Sequence, residues 1–565
     1  MSFTYVASAS DWVRILPLLV LAGMGLITLL ADLFLPQGAQ ARLALKQYSG
    51  ASIPFSFLVL PFLSILGIAG SLAATIVLYA SGDHLPAFYG MLASDQGTLY
   101  AYIIILSAAF LAVLLSPGYI KRQDLIHQGE YYALLLLATI GMMILAAAQN
   151  FLTVFVGIEL LSLALYILCG YVARRSTSQE SGMKYFLLSS FASAFLLYGL
   201  SLIYGATGST AFSGVQAFLK VHSAASTLLF IGMGLLTVGF AFKVSAIPFH
   251  TWTPDVYQGA PAPVTAFMSV GTKAAAIIAF ARVFTIVLQP LSSTWVPAIW
   301  AITVLTIVGG NVLAVAQKDV KRMLAYSSIA HAGYLLMGIV AGSNGKPLGM
   351  SSILFYLLCY AFLNTGAFAV VAVLERRDNS GTGPAELRGL WRRQPWLAGL
   401  LAFFLFGLAG FPPMAGFAAK YYIFYSALVS GHPELLVIGV VASILGMYYY
   451  LRPIATMFME GEEVEPASSQ VSGALPAIPA SPRRRSSGRL STSGSGSTAT
   501  AVAVKTAPAA TRKVTPVEEP AGEPEAPTAW PTGIVFTLAV LGTLALGTIL
   551  PFWLISLAQQ AASMM

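Results

Sequence analysis

Apolar residues in this chain come in runs too long for β-strands and too continuous for the one-sided stripe of a soluble surface helix. A helix needs about 20 mostly apolar residues to cross roughly 30 Å of hydrocarbon. Runs of that kind lie near 13–35, 53–81, 97–117, 129–147, 149–173, 182–205, 225–248, 262–289, 294–316, 322–342, 350–375, 395–430, 433–457 and 530–557. The pattern predicts an all-α polytopic membrane protein with about fourteen transmembrane helices. The run 395–430 is long enough to be one helix broken in the middle. The first run is longer than the roughly 7–15 apolar residues of a signal peptide and is read as a retained span.

Loop charges alternate along the chain. Loops after odd-numbered spans hold Arg42 and Lys46, Lys121 and Arg122, Arg174 and Arg175, then Lys318, Lys321 and Arg322, and finally Arg376, Arg377, Arg388, Arg392 and Arg393. Loops after even-numbered spans hold little beyond Lys220 and Lys346. The positive-inside rule puts the first set in the cytoplasm and both termini outside. One missed span would scramble this alternation, so the charges support the count. Residues 460–529 break the pattern with a Pro, Ala, Ser, Thr and Gly-rich stretch that carries Arg483, Arg484, Arg485 and Arg489. It offers too little apolar surface to offset ordering entropy and is read as a disordered cytoplasmic linker. It separates spans one to thirteen (1–459) from the last span and C-terminus (530–565).

Composition then removes several function classes. Charged residues make up 9% of the chain, against about 25% in ordinary soluble domains. The net charge of +8 does not gather on one face with interleaved aromatics, so nucleic acid is not an expected partner; the lipid bilayer is. Cys169 and Cys359 lie far apart in apolar runs and are read as small buried side chains. No glycine-rich phosphate loop, paired Cys-x-x-Cys, His-rich metal spacing or nucleophile–base pair stands out. The chain is expected to bind no cofactor itself, and energy for transport must come from an ion gradient or a redox partner.

Ionisable side chains inside spans carry the candidate chemistry. An ionised group at mid-helix costs about 2.5–3.5 kcal/mol on insertion scales, so it faces a bundle interior and marks a pathway. Five positions qualify, each in a different span: Glu159, Lys184, Lys243, Lys273 and Lys420. Arg282 and Asp32 lie nearer span ends, where snorkelling suffices, and are set aside. A glutamate beside a buried lysine keeps both charged, and moving either one makes the other exchange a proton. A static ion pair between helices is the alternative, but four lysines share one acidic partner on this reading. Helix breaks accompany two of the lysines: Pro248 follows Lys243 by five residues, and Pro412-Pro413 precedes Lys420 by seven. Proline frees backbone carbonyls that water or another partner must then satisfy. His331, flanked by Ser327, Ser328 and Tyr334, is a candidate proton relay, and His250 beside Trp252 is read as interfacial.

These residues lead to a family. The segment Gly239 to Lys273, GFAFKVSAIPFHTWTPDVYQGAPAPVTAFMSVGTK, resembles the signature of the antiporter-like subunits of respiratory complex I, and TPDVYQGAPAPV is closest to its subunit N type. QKDVKRMLAYSSIAHAGYLL and GLAGFPPMAGFAAKYYIF fit the same subunit. The resemblance covers roughly 10–460 and 530–557 and implies two inverted five-helix repeats, in a core of about 129–457, with helices seven and twelve discontinuous. It implies roles for Glu159, Lys184, Lys243, Lys273 and Lys420 as the glutamate and lysines of helices five, six, seven, eight and twelve. It implies a bacterial inner membrane with periplasmic termini and other membrane-arm subunits as partners. NAD, flavin, iron–sulfur clusters and quinone are expected in partner subunits. The linker 460–529 is longer than the family leads one to expect. A subunit of a multisubunit cation/proton antiporter, which shares the ancestry, stays open, as does a membrane scaffold with static charges.

Overall fold

A computed structural model describes residues 8–35, 56–125, 128–222, 226–459, 530–549 and 551–565. The expected linker at 460–529 lies outside the described residues. Helices account for the apolar runs, because backbone amides in hydrocarbon must be paired within their own segment. In chain order they are α1 (Leu16–Asp32), α2 (Ser56–Ser81), α3 (Gln96–Arg122), α4 (Gly129–Ala147), α5 (Phe151–Cys169) and α6 (Ser176–Thr207). Then come α7a (Thr227–Lys243), α7b (Trp252–Gly259), α8 (Ala262–Arg282), α9 (Ser292–Val315), α10 (Val320–Ala341) and α11 (Leu348–Leu374). The last are α12a (Pro395–Ala409), α12b (Ala415–Val429), α13 (Pro433–Phe458) and α14 (Trp530–Leu544), which runs on through a π turn toward Pro551–Ser563. Eleven helices among the described residues are long and apolar enough to span alone; α1, α7a and α12a are the shorter apolar ones.

The two short inner helices are the leading halves of broken spans. α7a stops at Lys243, five residues before Pro248 and earlier than the run 225–248 suggests. Its freed groups find partners: Trp252 donates its indole N–H to the Phe242 carbonyl at 3.1 Å, and the Ile247 amide donates to Thr306 at 3.0 Å. α12a stops at Gly410, whose φ of 92° is the left-handed cap that glycine adopts without Cβ strain. Pro412-Pro413 then prevents the helix from resuming before Ala415.

Two groups of five spans share one neighbour order. α4 packs on α5 and α8, α5 on α6, and α6 on both halves of α7. In the second group α9 packs on α10 and α13, α10 on α11, and α11 on both halves of α12. An odd number of crossings in the first group starts the second from the opposite face, which is why the copies are inverted. α3, α8, α10 and α11 form the interior, while α6 and α13 turn large apolar residues such as Phe191, Tyr198, Val441 and Ile444 outward. Cys169 and Cys359 are both buried free thiols.

Candidate functional site

Lys243 ends α7a inside the protein. Its ammonium donates to Ser162 Oγ on α5 at 2.6 Å and to Ser189 Oγ on α6 at 2.8 Å, and it lies 5.3 Å from the Tyr185 ring centroid. Glu159 sits one turn before Ser162 on α5, so the two faces coincide. Glu159 is half-buried, and its Oε1 is buried without a hydrogen-bond partner. Ion pairing between Glu159 and Lys243 is absent among the described contacts. The amine rests on hydroxyls, with the carboxylate one turn away.

Lys273 lies on α8, fully enclosed, and donates to both the carbonyl and the hydroxyl of Ser328 on α10. Tyr360 of α11 donates to the same hydroxyl at 2.9 Å. One turn further along α10, His331 is bracketed by two tyrosines: Nδ1 is 2.6 Å from Tyr356 OH and Nε2 is 3.1 Å from Tyr450 OH. Tyr450 also bonds Ser327. Ser327, Ser328, His331 and Tyr334 follow each other at helical spacing, so α10 carries a polar stripe through the interior.

Lys420 ends this stripe. Its ammonium donates to the carbonyl of Ala409, the last residue of α12a, at 2.9 Å, and to Ser443 Oγ at 3.0 Å. It lies 5.5 Å from the Tyr334 ring centroid. A cation at the C-terminal end of a half-helix answers both the freed carbonyl and the negative end of the helix dipole. Lys243 occupies the last turn of α7a, the corresponding half-helix. The two lysines lie on opposite sides of their prolines in sequence but mark the same structural place.

Lys184 departs from the expectation of a charge deep in the bilayer. Its side chain is 39% exposed and bonds Glu180 at 2.6 Å and Asp255 of α7b at 2.7 Å. Arg282 departs in the other direction. It does not snorkel: it is buried and pairs with Asp95 at 3.0 Å and Thr98 at 2.8 Å, Asp95 being the N-cap of α3. His250 is half-exposed just before α7b, and its Nδ1 lacks a hydrogen-bond partner.

One cluster escaped the sequence reading altogether. Arg175, Lys321 and Glu375 are buried together, with Glu375 accepting from Arg175 at 2.5 Å, Lys321 at 2.9 Å and Tyr119 OH at 2.7 Å. Arg175 and Lys321 read as topology-setting loop charges, and Glu375 only as the last residue of the run 350–375. Burial by itself would raise the Glu375 carboxyl, but Lys321 and Arg175 outweigh it and hold it below the ordinary carboxylate range. The available signal was an acid, Glu375, set directly before Arg376 and Arg377 at a helix end.

A polytopic helical membrane protein with paired five-span groups, two broken helices and buried lysines defines a class, and comparison with known proteins places it. A model of the NADH:quinone oxidoreductase/Mrp antiporter transmembrane family matches residues 148–446, and the chain belongs to that family. NADH-quinone oxidoreductase subunit N of Trichlorobacter lovleyi is 42% identical over 451 residues, 80% of this chain and 88% of the relative. The protein of the same name from Chloroflexus aggregans is 42% identical over 454 residues, with the same coverage. A chain of respiratory complex I from Thermus thermophilus with bound aureothin superimposes with a TM-score of 0.68 at 30% identity, covering 96% of this chain and 99% of that one. The Mrp complex from a Dietzia species, at 20% identity and a TM-score of 0.72, shares the fold.

Proposed function

We propose that this chain is a proton-translocating membrane-arm subunit of a type I NADH–quinone oxidoreductase. Protons pass along Glu159, Lys243, Lys273, His331 and Lys420, driven by quinone reduction elsewhere in the complex, with Lys184 at the edge of this path. NADH, flavin, iron–sulfur clusters and quinone are handled by partner subunits. The chain lies in a bacterial inner membrane with both termini on the periplasmic side, which the bias of basic loops supports.

One observation carries the reading. Among the described ion pairs none involves Lys243, Lys273 or Lys420, although all three are buried; hydroxyls, carbonyls and aromatic faces surround them. A static scaffold would neutralise such cations with carboxylates, as this chain does elsewhere. Cations held by neutral donors and acceptors can lose a proton without stranding a counter-charge. α10 supplies hydroxyl, imidazole and phenol groups between Lys273 and Lys420 as stepping stones.

Lys243→Ala in the intact complex, reconstituted in proteoliposomes, is expected to assemble, and proton uptake per quinone reduced should fall. Normal proton translocation in that variant would sink the proposal. Cation-for-proton exchange in the absence of NADH and quinone would instead favour the antiporter reading that the shared fold with the Mrp complex leaves open.

A further inference from the structure

Ion pairs close a ring around α7b. Arg175 at the start of α6 holds Glu375 at the end of α11, and Glu375 holds Lys321 at the start of α10. The next residue on α10, Arg322, holds Asp255 of α7b at 2.8 Å, and Asp255 holds Lys184, which returns to α6. α7b is gripped at more than that one point. Lys321 also donates to the Ala260 carbonyl just past α7b at 2.7 Å, Arg322 to Gln258 Oε1 at 2.8 Å, and Asn379 to the Gln258 carbonyl at 3.1 Å. On the α6 side Ser181 donates to the Val256 carbonyl at 2.9 Å. Gly259 permits that approach, since a Cβ there would lie 2.3 Å from the Thr177 carbonyl oxygen.

The ring has a dry half and a wet half. Arg175, Glu375 and Lys321 are 6%, 1% and 2% exposed, whereas Lys184, Asp255 and Arg322 are 39%, 33% and 31% exposed. Buried, mutually satisfied charges are costly to separate, while partly exposed pairs exchange with water and are screened by salt. The dry half therefore fixes α6, α10 and α11 to one another, and the wet half is the part that can let go. What it would release is the segment directly after the break that follows Lys243. The helix doing the gripping is α10, which also carries Ser328 and His331.

We propose that the Lys184–Asp255–Arg322 arm is a latch on α7b, and that Asp255 is a positioning residue whose release admits water from the basic-loop side to the break beside Lys243. The latch rests on the proposed proton path but concerns how one end of it is opened. Lys184 then serves as a latch partner of Asp255. Because α10 links the latch to Lys273 and Lys420, a shift of charge along its stripe has a mechanical route to α7b.

Ala246, buried in the break, provides the reporter. Ala246→Cys in the intact complex is labelled with a charged, water-borne methanethiosulfonate reagent from the basic-loop side, against a background of the two buried native cysteines. Adding Asp255→Asn should raise the labelling rate about five- to tenfold, the scale on which losing two partly exposed ion pairs acts, and Asp255→Glu should restore it. Raising salt from about 0.1 to 1 M should speed labelling with Asp255 intact, because the screening length falls from about 10 to about 3 Å; this arm needs no latch substitution. Labelling that neither Asp255→Asn nor salt changes overturns the latch. If Lys243→Ala abolishes pumping while labelling stays flat, the latch alone fails. If Lys243→Ala pumps normally, the proton path fails and the labelling result still decides the latch.

Discussion

Lys321 and Lys273 are equally buried lysines on neighbouring helices, yet they live in opposite chemistry. Lys321 meets a carboxylate, Glu375, that the Arg175 guanidinium also holds. Lys273 meets one serine's carbonyl and hydroxyl and no carboxylate among the described ion pairs. Burial alone therefore does not separate the two lysines; the charge of their neighbours does. The dry half of the ring holds its charges in place for structure, whereas the proposed path through α8, α10 and α12 surrounds its lysines with neutral groups.

Four experiments sharpen or break that contrast, from the largest effect on stability to the smallest. Glu375→Gln strands two buried cations and should destabilise the subunit by about 3–5 kcal/mol, seen as lost assembly or a lower thermal midpoint of the purified complex. Asp95→Asn removes the countercharge of buried Arg282 and should cost about 2–3 kcal/mol by the same measurement. Tyr450→Phe deletes one bond to His331 and one to Ser327; about 1 kcal/mol is expected, with proton transfer slowed severalfold in vesicle pumping assays. Lys420→Met should shift stability by less than about 1 kcal/mol, since a similar volume replaces an uncompensated cation, yet lower pumping at least tenfold. A Lys420→Met variant as unstable as Glu375→Gln would erase the distinction.

The same contrast has a pH signature. The folded Glu375 carboxyl lies below its unfolded range, so the stability it contributes is fully present above the ordinary carboxylate range. It is lost only as pH falls through the depressed folded value. The thermal midpoint should accordingly hold from about pH 8 to about pH 5 as far as the dry half of the ring is concerned.

Much of this molecule was legible from residues alone. The fourteen runs correspond to fourteen described spans, two of them broken where the prolines lie. Lys243, Lys273 and Lys420 stood out as charges in apolar context and are indeed buried. Lys184 and Arg282 depart from their expected places because depth within a run is not depth in the protein. A residue inside a run can stay partly exposed, as Lys184 does beside Glu180 and Asp255, and one near its end can be roofed by another helix, as α3 roofs Arg282.

Sequence by itself determined the spans, their number and the alternation of loop charge, because hydrocarbon thickness and insertion cost act on each run separately. Only the tertiary structure decided who neutralises whom. Arg175, Lys321 and Glu375 come from three distant parts of the chain, and no local rule selects that pairing over one with Asp255 or Glu159. The same holds for Lys420, which reaches back across its break to the Ala409 carbonyl and so takes up the place that Lys243 holds at the end of α7a. Electrostatic partnership is a matter of a few ångströms in space, and the chain fixes those only once its helices are packed.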